Sequence, residues 1–215
     1  MRSLLGWWLV GIGAAQAQAP NFEGLSLQVA GGYQSHAPVF FDYKTSGAAN
    51  GLSTQTDRTK GIPLIVSAAY TWSFTQQVSL GLTYDHHVLK TSAARQSLYT
   101  NGSFTSGGTI RFKNQQQLSL VSGVVPDAST MVYGKLGIAK ASTDATNDDG
   151  SAAENLNFSG WAWGVGAKRF VSLNQFAFAE YNRVLMSDTL RSSDSLTYQT
   201  SSKGSVLVVG MGWQF

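Results

Sequence analysis

Apolar and polar residues alternate along most of the chain with a period of two, the repeat of a strand whose successive side chains face opposite sides. In the first such segment Leu25, Leu27, Val29, Gly31 and Tyr33 share one face, and Ser26, Gln28, Ala30, Gly32 and Gln34 the other. The second sets Ile62, Leu64, Val66, Ala68, Tyr70, Trp72 and Phe74 on one side. After a short turn near Thr75-Gln76, the third places Val78, Leu80, Leu82 and Tyr84 against Ser79, Gly81, Thr83 and Asp85. The fourth is polar early (Arg111, Lys113, Gln115) and apolar late (Leu118, Leu120, Val124). A turn at Pro126-Asp127-Ala128-Ser129 leads to the fifth, Val132 to Ile138. Three more, at about 158–171, 176–186 and 205–215, make eight, the last alternating through Leu207, Val209, Met211, Trp213 and Phe215.

The connections sharpen this picture. Those near residues 75, 127 and 173 are short, whereas 35–60, 89–105, 142–156 and 187–203 are long and rich in Ser, Thr, Asn, Gly and Asp. Short turns alternating with long loops, around an even number of amphipathic strands, is the asymmetry of a closed barrel in an outer membrane. The expectation is therefore an all-β, antiparallel, eight-stranded transmembrane barrel with short periplasmic turns and long extracellular loops. Aromatic residues are expected to form two interfacial girdles. Phe22, Trp72, Phe74, Phe176, Trp213 and Phe215 belong to the short-turn end, and Tyr84, Phe158, Trp161 and Trp163 to the other.

The start of the chain agrees. Arg2, the apolar run Leu4 to Ala15 and the small residues Ala15-Gln16-Ala17 read as an export signal over residues 1–17, cleaved after Ala17. The run falls short of the roughly 20 residues of a spanning helix. Residues 18–215 then form one barrel domain, exported through the periplasm to the cell outer membrane. There is no cysteine, hence no disulfide or zinc-thiolate framework. The net charge of +3 includes Arg2 and no Lys/Arg cluster appears, which excludes a nucleic-acid footprint. Only 13% of residues are charged and 23 are glycine, a poor match to an ordinary soluble enzyme.

Candidate chemistry divides between lumen and loops. Residue parity places Asp85, Arg111, Lys113, Lys135, Lys168 and Glu180 inside. Lys168 and Glu180 are nearly equidistant from the turn around Asn174, so they are expected to face each other, with Lys135 at similar depth beside Lys168. An eight-stranded barrel is just wide enough for side chains to fill, and the expected role of these charges is an ion-pair ladder between strands. On that pairing Glu180→Gln is expected to cost roughly 3 kcal/mol or more by stranding a buried cation. The alternative is a narrow ion path opened by exchange of partners.

His36, His86 and His87 raise the possibility of hydrolysis, but His86 and His87 are adjacent and face opposite sides, and no spacing singles out a nucleophile. No catalytic residue is assigned. Asp144-Ala145-Thr146-Asn147-Asp148-Asp149-Gly150 fails as a calcium loop, because Ala145 and Leu156 fall where carboxylates are needed. No metal or other cofactor is expected. Asn101-Gly102-Ser103 and Asn157-Phe158-Ser159 match the glycosylation sequon by chance. In the first long loop Phe40, Phe41 and Tyr43 form an aromatic patch that either packs over the barrel mouth or presents an adhesive surface.

The chain resembles the small eight-stranded outer-membrane barrels of Gram-negative bacteria, of the opacity-porin and OmpA-transmembrane-domain type. The resemblance rests on Tyr133-Gly134-Lys135-Leu136-Gly137, Gly164-Val165-Gly166-Ala167-Lys168, Ala179-Glu180-Tyr181 and the closing Val209-Gly210-Met211-Gly212-Trp213-Gln214-Phe215. It implies that Trp213 and Phe215 are the signal for the barrel-assembly machinery. No peptidoglycan-binding domain follows the last strand, so wall anchoring is not implied. The expected partners are outer-membrane lipid, lipopolysaccharide, the assembly machinery and an extracellular ligand. The expected function is non-enzymatic, structural and surface-interacting through the loops. A low-conductance porin is the alternative, and a lipid A-modifying enzyme a more distant one.

Overall fold

The computed structural model describes residues 22–37, 40–44, 52–75, 77–152, 155–188, 191–193 and 196–215. The expected signal segment, residues 1–17, lies outside them. Eight strands close into a ring: β1 (Gly24–His36), β5 (Leu64–Ser73), β6 (Val78–His87), β8 (Ser103–Asp127), β9 (Thr130–Asn147), β10 (Asn157–Phe170), β11 (Gln175–Asp188) and β13 (Leu196–Gln214). Each pairs antiparallel with the next, and β1 closes the ring on β13 from Ser26↔Gln214 to His36↔Gly204. No helix occurs among the described residues.

The long connections are not simple loops. They carry the short strands β2 (Phe40–Lys44), β3 (Leu52–Thr56), β4 (Thr59–Gly61), β7 (Ala94–Thr100) and β12 (Arg191–Ser193). β7 and β8 form a hairpin through Asn101 and Gly102, both at positive φ (52° and 79°). Asn-Gly is the pair that such a turn favours, so these residues matter for backbone geometry and not as a sequon. β8 and β9 remain paired as far as Gly108↔Asn147, extending the sheet beyond the apolar band.

The exterior follows the predicted alternation. Leu25, Leu27, Val66, Tyr70, Leu80, Leu118, Leu136, Val165, Leu207 and Val209 all face out and are exposed. A continuous apolar outer wall of this kind is stable only against lipid. Two predicted girdle residues at the short-turn end and one at the other instead point inward: Phe22, Phe176 and Phe158 are buried. Phe176 shares the parity of Glu180, and Phe158 that of Lys168, so the strand pleat sends each into the lumen with the charge it accompanies. Trp72, Phe74, Trp213 and Phe215 at one end, and Tyr84, Trp161 and Trp163 at the other, do face out.

Inside, two apolar clusters are separated by polar layers. At the short-turn end Phe22, Met131, Phe170, Phe176 and Phe178 pack together, with Phe22 stacked on Phe170 at 4.6 Å between ring centroids. At the long-loop end Ile110, Phe112, Leu156, Phe158 and Met186 close the lumen, with Phe112 5.5 Å from Phe158 and 4.8 Å from His36. Gly24, at φ +102°, turns the chain so that Phe22 enters the mouth, and a Cβ there would meet the Phe215 carbonyl oxygen at 2.7 Å. Gln214 Nε2 fixes this entry by donating to the carbonyls of Glu23 (2.8 Å) and Leu25 (3.1 Å).

Candidate functional site: the charged middle of the lumen

Lys135, on β9, is the centre of the lumenal charges. Its Nζ donates to Asp85 Oδ2 at 2.7 Å and Glu180 Oε1 at 2.9 Å, and all three side chains are buried. Glu180 also accepts from the Tyr133 hydroxyl (2.8 Å) and Asn182 Nδ2 (2.6 Å), and Asp85 from Thr83 Oγ1 (3.3 Å). Every element of this cluster comes from an inward-facing position on β6, β9 or β11, so the same alternation that greases the exterior delivers polar groups to the interior. A buried charge is tolerated when it is paired and its remaining lone pairs are hydrogen-bonded, as they are here.

Lys168 departs from expectation. It is not Glu180's partner: the β10–β11 register sets Lys168 against Phe178 and Gly166 against Glu180. The turn is centred one residue earlier than Asn174, which slides Lys168 two residue pairs, one inward-facing layer, below Glu180. Nor is Lys168 level with Lys135, since it lies opposite Met131 while Lys135 lies opposite Gly164. Its ammonium instead sits 4.9 Å from the Phe22 ring centroid and 5.2 Å from that of Phe176, a cation held by aromatic faces. Two carboxylates (Asp85, Glu180) and two ammonium groups (Lys135, Lys168) leave this buried stretch neutral.

Arg111 and Lys113 are outside the lumen. Asn114, at φ 49°, forms a bulge where the β8–β9 register shifts between Lys113 and Gln116, and the bulge inverts the parity of everything before it. Ile110 and Phe112 thereby take the inward positions, and Arg111 is exposed. Lys113 joins Lys90 on Asp144 (2.7 Å for Lys90) on the outer face of the extension. These hydrogen bonds, from Lys113 first and then Lys90, hold the Asp144 carboxyl below the usual carboxylate range. Because its native pKa is depressed, the clamp is at full strength above that range and disappears as pH falls through the native value. Asp144→Asn should therefore speed hydrogen exchange of the paired amides at 142–146 several-fold at neutral pH. The difference from the native chain should vanish in acid; a difference independent of pH would remove the carboxylate from the explanation.

The remaining candidates are spread out. Asp148 meets Arg95 at 3.4 Å, and Asp149 accepts from the Ser151 amide at 2.8 Å, so the acidic turn is spent on its own surroundings. Among the described residues no three His, Cys, Asp or Glu side chains converge as metal ligands. His36 stacks on Phe112 and His87 Nδ1 lies 3.2 Å from Gln34 Oε1, within a buried layer containing Gln115 and Thr59. Apart from the polar, inward parity of Gln34, His36 and Gln115, nothing in the sequence marks this layer. Phe40, Phe41 and Tyr43 lie on β2, which pairs with β13 through Phe41↔Thr200 and Tyr43↔Tyr198, but their side chains lie outside the described residues. Trp213 and Phe215 face out at the short-turn end.

Two small cavities flank the cluster. One, of about 20 Å³, is lined by Gln28, Asp85, His87, Glu180 and Asn182; the other, also about 20 Å³, by Gln28, Tyr133, Lys135, Lys168 and Glu180. Each has room for about one water molecule.

No protein-family model and no curated relative matches the chain. Solved structures do. The outer membrane protein OprG from Pseudomonas aeruginosa is 15% identical over 92% of this chain and 98% of that one, with a TM-score of 0.53. Ail, the attachment invasion locus protein of Yersinia pestis, is 14% identical over 90% and 99% in its complex with the heparin analogue sucrose octasulfate, with a TM-score of 0.47. Neisserial surface protein A is 12% identical over 90% and 98%, with a TM-score of 0.45. The likeness to OprG at this identity shows the fold. With its closed ring of eight strands and lipid-facing wall, the chain has the fold of the small outer-membrane β-barrels of Gram-negative bacteria, and it is an outer-membrane protein.

Proposed function

We propose that this barrel is a non-enzymatic structural and surface-interaction protein, anchored by its wall and acting through the strands and loops of its extracellular end. The observation that carries the proposal is the closed lumen: an apolar cluster at each end, and between them a neutral, hydrogen-bonded charge cluster with space for single waters. A conducting path would have to displace both clusters and dehydrate an ion beside paired charges. Catalysis would require a nucleophile and an oriented base within hydrogen-bond reach. His36 and His87 are instead committed to a stacked ring and an amide. What remains available to the outside is the extension of β8 and β9 with β2, β3 and β7 beside it. An extracellular ligand and the assembly machinery are the proposed partners, the latter reading Trp213 and Phe215.

Single-channel recording of the protein reconstituted in a planar bilayer tests this. The expected result is a silent bilayer with barrels verified as folded by their resistance to unfolding in SDS. Reproducible small steps that change in Glu180→Gln would replace the proposal with a low-conductance porin whose site is the lumen.

A further inference from the structure

The lipid-facing wall contains a charge that the fold itself does not explain. Arg183 lies on β11 between two outward residues, Tyr181 below and Leu185 above, and opposite Trp163 on β10. Leu185 is exposed and stands opposite Trp161, the outermost tryptophan at this end, so Arg183, opposite Trp163, lies at the level of the tryptophan girdle. At that level a cation is within reach of lipid headgroups. Its Nη1 donates to Ser205 Oγ at 2.6 Å, and the Tyr181 hydroxyl approaches the same oxygen at 3.2 Å. Trp163 meets Tyr181 edge-on at 6.0 Å. Lys203 pairs with Leu185 on the neighbouring strand, diagonally above Arg183, and is exposed. Among the described residues no carboxylate lies within ion-pair distance of Arg183 or Lys203.

From this we infer that Tyr181, Arg183, Lys203 and Ser205, walled by Trp163, form a lateral binding niche for the phosphate of an anionic lipid headgroup in the leaflet at the long-loop end. The inference rests on the barrel's placement in the outer membrane and is independent of whether the lumen conducts. The geometry fits that occupant. The guanidinium is oriented by Ser205, and no carboxylate among the described residues pairs with it. A phosphate drawn down beside the tryptophan would be shared by both cations, with its acyl chains running along Leu207 and Val209 below. The outer cluster of Lys90, Lys113 and Asp144 differs, because there the cations already share a carboxylate.

Trp163 provides a local reporter. In a barrel whose Trp72, Trp161 and Trp213 are phenylalanine, isolated from membranes and placed in phosphatidylcholine vesicles, brominated phosphatidylglycerol should quench Trp163 beyond its mole fraction. The expected enrichment over brominated phosphatidylcholine is about fivefold for each of the two basic residues, the factor for roughly 1 kcal/mol apiece at a charged surface, and so about 30-fold together. Arg183→Gln with Lys203→Gln should reduce it to parity, and Arg183→Lys with Lys203→Arg should retain most of it. Lys203→Gln alone, remote from the Ser205 contact, serves if the double change prevents folding. Equal quenching by the two lipids in the native niche, or enrichment that survives the glutamine changes, would overturn the assignment.

Discussion

Lys135→Met should destabilise the barrel by about 3–5 kcal/mol, the cost of removing one partner from a buried ion pair. The change leaves Asp85 and Glu180 facing each other without the ammonium that now bridges them at 2.7 and 2.9 Å. Glu180→Gln should cost clearly less, since Lys135 keeps Asp85 and the amide oxygen can still accept from Tyr133. That ordering reverses the one drawn from a Lys168–Glu180 pair, in which Glu180 alone holds a cation. Combining Lys135→Met with Asp85→Asn and Glu180→Gln should recover part of the loss, because the two facing carboxylates are then neutral, and Lys168 keeps its ammonium against the Phe22 and Phe176 rings. Urea midpoints of the reconstituted barrels measure all three. Equal midpoints for Lys135→Met and Glu180→Gln would show that Lys135 is not the centre of the cluster.

Phe112→Ala should have a comparable effect, about 3–5 kcal/mol, as for other fully buried phenylalanines. Its ring is 0% exposed and fills the space between His36 and Phe158 at the long-loop end. The Phe112 amide also donates to Thr91 Oγ1 at 2.8 Å, so the residue ties its strand to the connection between β6 and β7. Conductance should stay silent in this variant, because the cluster around Phe22, Phe170 and Phe176 closes the opposite end independently. A loss below about 1 kcal/mol would mean that the mouth collapses onto the gap, and that the cap is softer than its packing implies.

The burial of Asp85, Lys135, Lys168 and Glu180 follows from parity alone, because a strand's alternation assigns a face without reference to its neighbours. Parity also assigns Phe158 and Phe176 to the interior, and expecting them in the girdles gave aromatic character more weight than the pleat. Arg111 failed for another reason. Parity was extended through Asn114, where a bulge with a left-handed residue inverts it, and nothing local in Lys113-Asn114-Gln115 marks that irregularity unambiguously. The Asn101-Gly102 hairpin is legible in the Asn-Gly pair itself, which favours the two positive φ angles the turn requires.

By itself the sequence determined the strand class, the ring of eight, the lipid-facing wall and the set of residues delivered to each side. All of these are encoded by a two-residue period and by the spacing of turns. Which lumenal groups meet was decided only in the closed barrel. Pairing depends on register, and register is set by the exact centre of each turn and by bulges; a one-residue shift moved Glu180 from Lys168 to the reach of Lys135. The meeting of Lys135 with Asp85 spans 50 residues of sequence. It exists because closure curves β6, β9 and β11 around one narrow interior, a distance relation that no local pattern contains.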